Sequence, residues 1–162
     1  MGSGHTKKRL IVLATALCAG GVAQASCTDG SVDLRSGDAV ARFTVEVADT
    51  DAERSLGLMN RERLPKSSGM LFVYETPRHA VFWMMNTLIP LDMIFADARG
   101  TVTRVHANAR PLDKTSIDGG NDVAFVLEIN GGLAKRLGIV EGSELRHAAI
   151  DQTFAVWPCV SD

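Results

Sequence analysis

Between Phe82 and Phe95 the chain reads Phe-Trp-Met-Met-Asn-Thr-Leu-Ile-Pro-Leu-Asp-Met-Ile-Phe, an apolar run with Asn86, Thr87 and Asp92 set inside it. A membrane span takes about 20 apolar residues, so this run is too short, and Pro90 interrupts it. Proline has no backbone donor and pushes the residue before it into an extended conformation, which breaks any sheet ladder passing through. The stretch therefore predicts two buried strands, over 81–85 and Leu91–Ala96, joined by a polar corner over 86–90. Such a corner can aim Asn86, Thr87 and Asp92 together.

The flanking pattern is mainly β with two short helices. Phe43, Val45 and Val47 alternate with Arg42, Thr44 and Glu46, as a half-buried strand over 41–48 requires. Thr50-Asp51-Ala52-Glu53 is a capping box, in which hydroxyl and carboxylate satisfy backbone donors at a helix start. The helix runs to about Leu58, with Leu56 and Met59 expected inward and Arg54 on the other face. Gly69 opens a strand over 70–74, and Thr76-Pro77-Arg78 predicts a turn. Asp97-Ala98-Arg99-Gly100 is a hairpin turn with Gly where positive φ is wanted, returning as a strand over 101–107. Residues 109–121 are long, polar and turn-rich, a loop able to close over a site. A strand over 123–129 carries Glu128 near its end. Gly131-Gly132 leads into a helix, Leu133–Leu137, that Gly138 terminates. One or two last strands are expected over 144–150 and 153–156.

The first 25 residues read as an export signal. Lys7-Lys8-Arg9 is a basic start, residues 10–22 are an apolar segment of signal length, and Ala23-Gln24-Ala25 is a small-residue cleavage site. An uncleaved anchor is the alternative. Cleavage leaves residues 26–162, a length that favours one domain able to bury a sizeable core. It also removes Cys18 and leaves Cys27 and Cys159, an even pair that reads as a disulfide in an oxidising compartment. The expected location is the bacterial periplasm or the exterior, with no membrane-spanning segment after cleavage. A formal net charge of −2 offers no basic face for nucleic acid.

Several blocks occur together: Arg54, then Gly57-Leu58-Met59-Asn60-Arg61, Gly69-Met70-Leu71-Phe72, the Phe82–Asp92 signature, and Val126-Leu127-Glu128-Ile129 before Gly131-Gly132. In these the chain resembles the family known as domain of unknown function 192, from about Ala41 to about Leu145. It departs from the family at Met85, where Lys is usual, and at Gly142-Ser143, where Gly-Asp is usual. The resemblance implies a compact antiparallel β-sandwich or barrel-like domain with short helices. It also draws Arg54 and Glu128 toward the central corner, Arg54 to pair with Asp92 or hold an anionic group, Glu128 as a second carboxylate.

Asp92 lies in an apolar run, where a carboxylate must be hydrogen-bonded or paired. It is either a structural acceptor for backbone N–H groups or a general base or ligand acceptor tuned by its setting. Asn86 and Thr87 either build the corner or line a pocket. Trp83 is core or an aromatic platform, and alternation sets Val81, Trp83 and Met85 opposite Phe82 and Met84. His79, His106 and His147 show no metal-ligand spacing, and the methionines fall at core positions, so no metal site and no cofactor are expected. Nucleophile-elbow, P-loop and dinucleotide-binding motifs are missing.

The expectation is an exported, disulfide-stapled domain that binds a small molecule or an envelope component, with ligand-binding candidates Arg54, Trp83, Asn86, Thr87 and Asp92. One alternative is a hydrolase or lyase with catalytic candidates Asp92 and Glu128 as an acid/base pair. Another is a protein-interaction domain whose corner is purely structural.

Overall fold

The computed structural model describes residues 1–2 and 26–159, so the expected signal segment and cleavage site lie outside the described residues. Seven strands follow in chain order: β1 (Ser31–Ser36), β2 (Ala39–Ala48), β3 (Ser68–Phe82), β4 (Leu91–Ala96), β5 (Val102–Ala109), β6 (Ile117–Asn130) and β7 (Glu144–Arg146). Helices α1 (Asp51–Leu56) and α2 (Leu133–Leu137) are the two short ones expected. The strands form one mixed sheet in the order β5-β4-β6-β3-β2-β1-β7, curled into a half-barrel.

The expected antiparallel pattern has one exception: β2 and β3 run parallel. Parallel neighbours need a crossover of a dozen or more residues, and the segment carrying α1 supplies it. The capping box that starts α1 is present, with the Thr50 hydroxyl accepting from Glu53 N and the Glu53 carboxylate accepting from Thr50 N. Its orientation differs from expectation. Leu56 points to solvent and Leu58 is the buried residue, while Arg54 turns in toward the sheet.

Both faces of the sheet are covered. Val32, Leu34, Phe43, Leu71, Ile94, Leu127, Ile129 and Leu145 pack on one face with α2. Leu58, Met70, Phe72, Met84, Leu91, Met93 and Phe95 pack on the other. Every residue of β4 is buried, which is why its sequence is a continuous apolar run instead of an alternation. Fully burying one such Leu, Ile or Phe contributes about 1.5–3 kcal/mol.

Strands β3 and β6 are longer than their sequences suggest. The Thr76-Pro77-Arg78 segment does not separate two elements; β3 runs through it with register shifts between Val73 and Val81. Pro77 has no donor for the ladder, and the resulting bulges bend the strand, as a curled sheet requires. The second half of the expected loop over 109–121 is the start of β6. The hairpin at Asp97–Gly100 forms as expected, with Gly100 at φ +87° and the Asp97 carboxylate accepting from Arg99 N and Thr101 N. At the C-terminal end only Glu144–Arg146 is strand, and 153–156 is not.

Cys27 and Cys159 are joined by a disulfide. Trp157 lies beside it in sequence, with the Arg146 guanidinium 4.1 Å and the Arg35 guanidinium 4.5 Å from its ring centroid. Arg146 and Arg42 share the buried Asp33 carboxylate. Burial alone would raise that carboxyl, but the two guanidiniums outweigh it and hold Asp33 below the usual carboxylate range.

Candidate ligand pocket

The central corner is built by its backbone. Asn86 adopts φ +56°, a left-handed turn that asparagine tolerates, and its carbonyl accepts from Asn60 N. Thr87 is buried; its carbonyl accepts from Leu112 N, and Met84 N donates to the Asp113 carbonyl. The 110–116 loop thus braces the corner from behind. It does not cover the pocket described below.

Asp92 is fully buried and has its acceptors filled. Oδ1 accepts from Asn108 N at 2.6 Å and Gly132 N at 2.9 Å, and Oδ2 accepts from Ala134 N at 2.7 Å. Helix α2 has no side-chain cap of its own, with Gly132 at its N-cap, so Asp92 reaches across from β4 to hold its first turn. Arg54 is not its partner.

Glu128 occupies the other face. Across the β4–β6 ladder Met93 pairs with Glu128 and Asp92 with Ile129, and paired residues share a face. Asp92 therefore points into the core around α2 and Glu128 into the core beneath α1. The two carboxylates cannot address one substrate, which removes the geometry an Asp92–Glu128 acid/base pair would need.

Glu128 is 5% exposed. Its carboxyl opens onto a cavity of about 340 Å³ between α1, β3 and the 83–87 segment. Phe72, Tyr74, Phe82 and Trp83 contribute aromatic wall, and Leu58, Met59 and Met85 contribute aliphatic and thioether surface. Burial, with no offsetting charge, pushes the Glu128 carboxyl up to about 8, so it is mostly neutral at pH 7. Burial likewise pushes the Tyr74 phenol up, against the pull of the Arg78 and Arg54 guanidiniums. Both guanidiniums lie 5.3 Å from the Tyr74 ring centroid. Arg54 is held by the carbonyls of Asp49 and Val73 and by the Asp51 carboxylate.

Arg54, Trp83, Thr87 and Glu128 line this pocket together, whereas Asn86 and Asp92 do not. Trp83 is half exposed at the rim, beside Val81 and Leu56, so it is not core. The expected strand over 81–85 stops at Phe82, so the expected alternation is not kept: Phe82 lines the pocket with Val81, Trp83 and Met85, while Met84 is buried in the core. Tyr74 and Phe72 were not singled out from sequence. Their signal is parity: Met70 pairs with Glu128, and Phe72 and Tyr74 follow it at spacing two along β3.

Fold and site together define a β-rich half-barrel domain with an unpaired carboxyl at the floor of an aromatic-walled pocket. The chain belongs to the family of domain of unknown function 192 (DUF192, Uncharacterized ACR), whose model matches residues 32–147. It is similar to a protein of unknown function from Novosphingobium aromaticivorans DSM 12444, at 43% identity over 71% of this chain and 82% of that one, TM-score 0.69. It is also similar to a candidate transcription regulator from Sinorhizobium meliloti 1021, at 38% identity over 75% and 95% of the two chains, TM-score 0.70. No curated protein matches it. The family segment contains the whole pocket, and neither Cys27 nor Cys159 falls within it.

Proposed function

We propose that the protein is an exported domain that binds a small ligand in the Glu128 pocket. One observation carries this reading: a buried carboxyl with no hydrogen-bond partner among the described residues opens into a cavity of small-molecule size. Pockets for small molecules run from about 300 Å³ upward and combine apolar walls with a few convergent polar groups. Among the described residues Arg146 Nη1 is the one fully buried side-chain polar atom without a partner, so the Glu128 oxygens reach the cavity, where a ligand can meet them. The Cys27–Cys159 disulfide supports an oxidising compartment, in keeping with the signal-like N-terminus.

A raised carboxyl in a cleft also favours a second reading, an enzyme using Glu128 alone as general acid or base. The charge of −2 gives no support to a nucleic-acid site, whatever the description of the Sinorhizobium relative.

The test is a thermal-shift screen of the oxidised protein against amines, acids, sugars, cell-wall fragments and nucleotides, with Trp83→Ala and Glu128→Gln alongside. A ligand at 100 times its Kd adds about 2.7 kcal/mol, a shift of several degrees. The pocket reading predicts hits that both variants lose. Hits indifferent to both variants, or no hits at all, would overturn it and leave the exposed Leu56, Val81 and Trp83 as a protein-interaction surface. Product formed from a hit compound would move the assignment to an enzyme.

A further inference from the structure

We infer that the pocket takes an amine, its ammonium group seated on the Glu128 carboxylate and flanked by the aromatic residues Phe72, Tyr74, Phe82 and Trp83. This rests on the pocket being a ligand site and adds the chemical class of the ligand.

The argument is one of matching. Among the described residues no cation and no hydrogen-bond donor reaches the Glu128 carboxyl, and burial is the sole influence on its ionisation. An ammonium supplies both a compensating charge and N–H donors, so binding and ionisation of Glu128 favour one another. Aromatic rings present negative faces that attract cations; the Tyr74 ring is already flanked by Arg54 and Arg78, and the half-exposed Trp83 at the rim is the ring open to a ligand. An anion would oppose ionisation of the carboxyl instead of favouring it. A neutral group gains one ordinary hydrogen bond and no charge pairing. The guanidinium on the pocket's α1 side is already matched, since Arg54 is held by Asp51 and two backbone carbonyls.

The charged and titratable neighbours are few. Strand β3 offers Tyr74, whose phenol is raised, and Arg78; α1 offers Arg54; β4 presents uncharged Met93 opposite Glu128; the 83–87 segment presents Trp83, Met85 and Thr87. His79 belongs to the adjacent groove and hydrogen-bonds Asn121. His79, an imidazole in the adjacent groove, serves as the control.

The experiment is isothermal calorimetry with 2-phenylethylamine, 2-phenylethanol and phenylacetate, which share a ring and chain and differ in charge. Runs at pH 6, 7, 8 and 9 in two buffers of different ionisation enthalpy count the protons released. The amine should bind at least tenfold tighter than the other two. Its affinity should rise about tenfold from pH 6 to pH 7 and level off above about 8, with close to one proton released below that point. Glu128→Gln should lose both the preference and the slope, and His79→Gln should keep both. Equal or tighter binding of the alcohol or the acid, abolished by Trp83→Ala, would overturn the amine assignment and leave the pocket standing. Binding by none of the three would also overturn it. The pocket reading would fall with it only if the wider screen gave no Trp83-dependent hit.

Discussion

The Asp92 carboxylate accepts the backbone N–H of Ala134 at 2.7 Å, so a strand residue caps a helix that lacks a cap of its own. The same carboxylate accepts from Gly132 and Asn108, which ties β4, β5 and α2 at one point. The most conspicuous polar residue of the central stretch is therefore architecture.

Asp92→Asn tests that role. An amide keeps the shape but sets two donors where only acceptors are wanted, and it loses the charge that strengthens these bonds. The expected loss is about 2–4 kcal/mol of unfolding free energy by denaturant titration. Any pocket ligand should keep its affinity for the fraction that remains folded.

The pocket carboxyl makes the opposite prediction. Glu128 binds its proton more tightly folded than unfolded, because its carboxyl is raised from 4.5 to about 8. The stability contributed by the protonated form is full below pH 4.5, declines as pH rises through that interval, and is gone above about 8. The decline should amount to no more than about 5 kcal/mol across the window. Glu128→Gln should flatten this part of the stability–pH curve and be the more stable form at pH 9.

Cysteines 27 and 159 enclose a sequence separation of 132 residues. Closing so long a loop removes unfolded-state entropy worth about 4–5 kcal/mol on the chain-entropy argument. The double variant Cys27→Ser/Cys159→Ser should melt well below the oxidised protein. Reductant should shift the parent protein toward the variant and leave the variant unmoved.

What the chain announced was local chemistry. The Thr50–Glu53 box, the Asp97–Gly100 turn, the Gly138 helix end and the Pro90 break all act within a few residues, and each is found where the sequence implies. The paired cysteines and the family blocks were equally legible. What stayed hidden depends on register. Asp92 and Glu128 are drawn together by the family blocks they stand in, yet the β4–β6 pairing sets them on opposite faces. A slip of one residue would reverse that, and nothing local fixes it. Strand β1 escaped notice because its polar Asp33 is buried between Arg42 and Arg146, residues far from it in sequence. Trp83 reads as core by composition, and only the curl of β3 and the placement of α1 leave it at a rim.

The central claim is that Glu128 is an unpaired, mostly neutral acid at the floor of a binding pocket. The most direct measurement is a pH titration of its side-chain carboxyl by carbon-13 NMR, assigned with Glu128→Gln. The account predicts a midpoint near 8 in the free protein, moving down when 2-phenylethylamine saturates the pocket. A midpoint at an ordinary glutamate value in the free, folded protein would mean that the carboxyl is solvated or already paired, and would contradict the account.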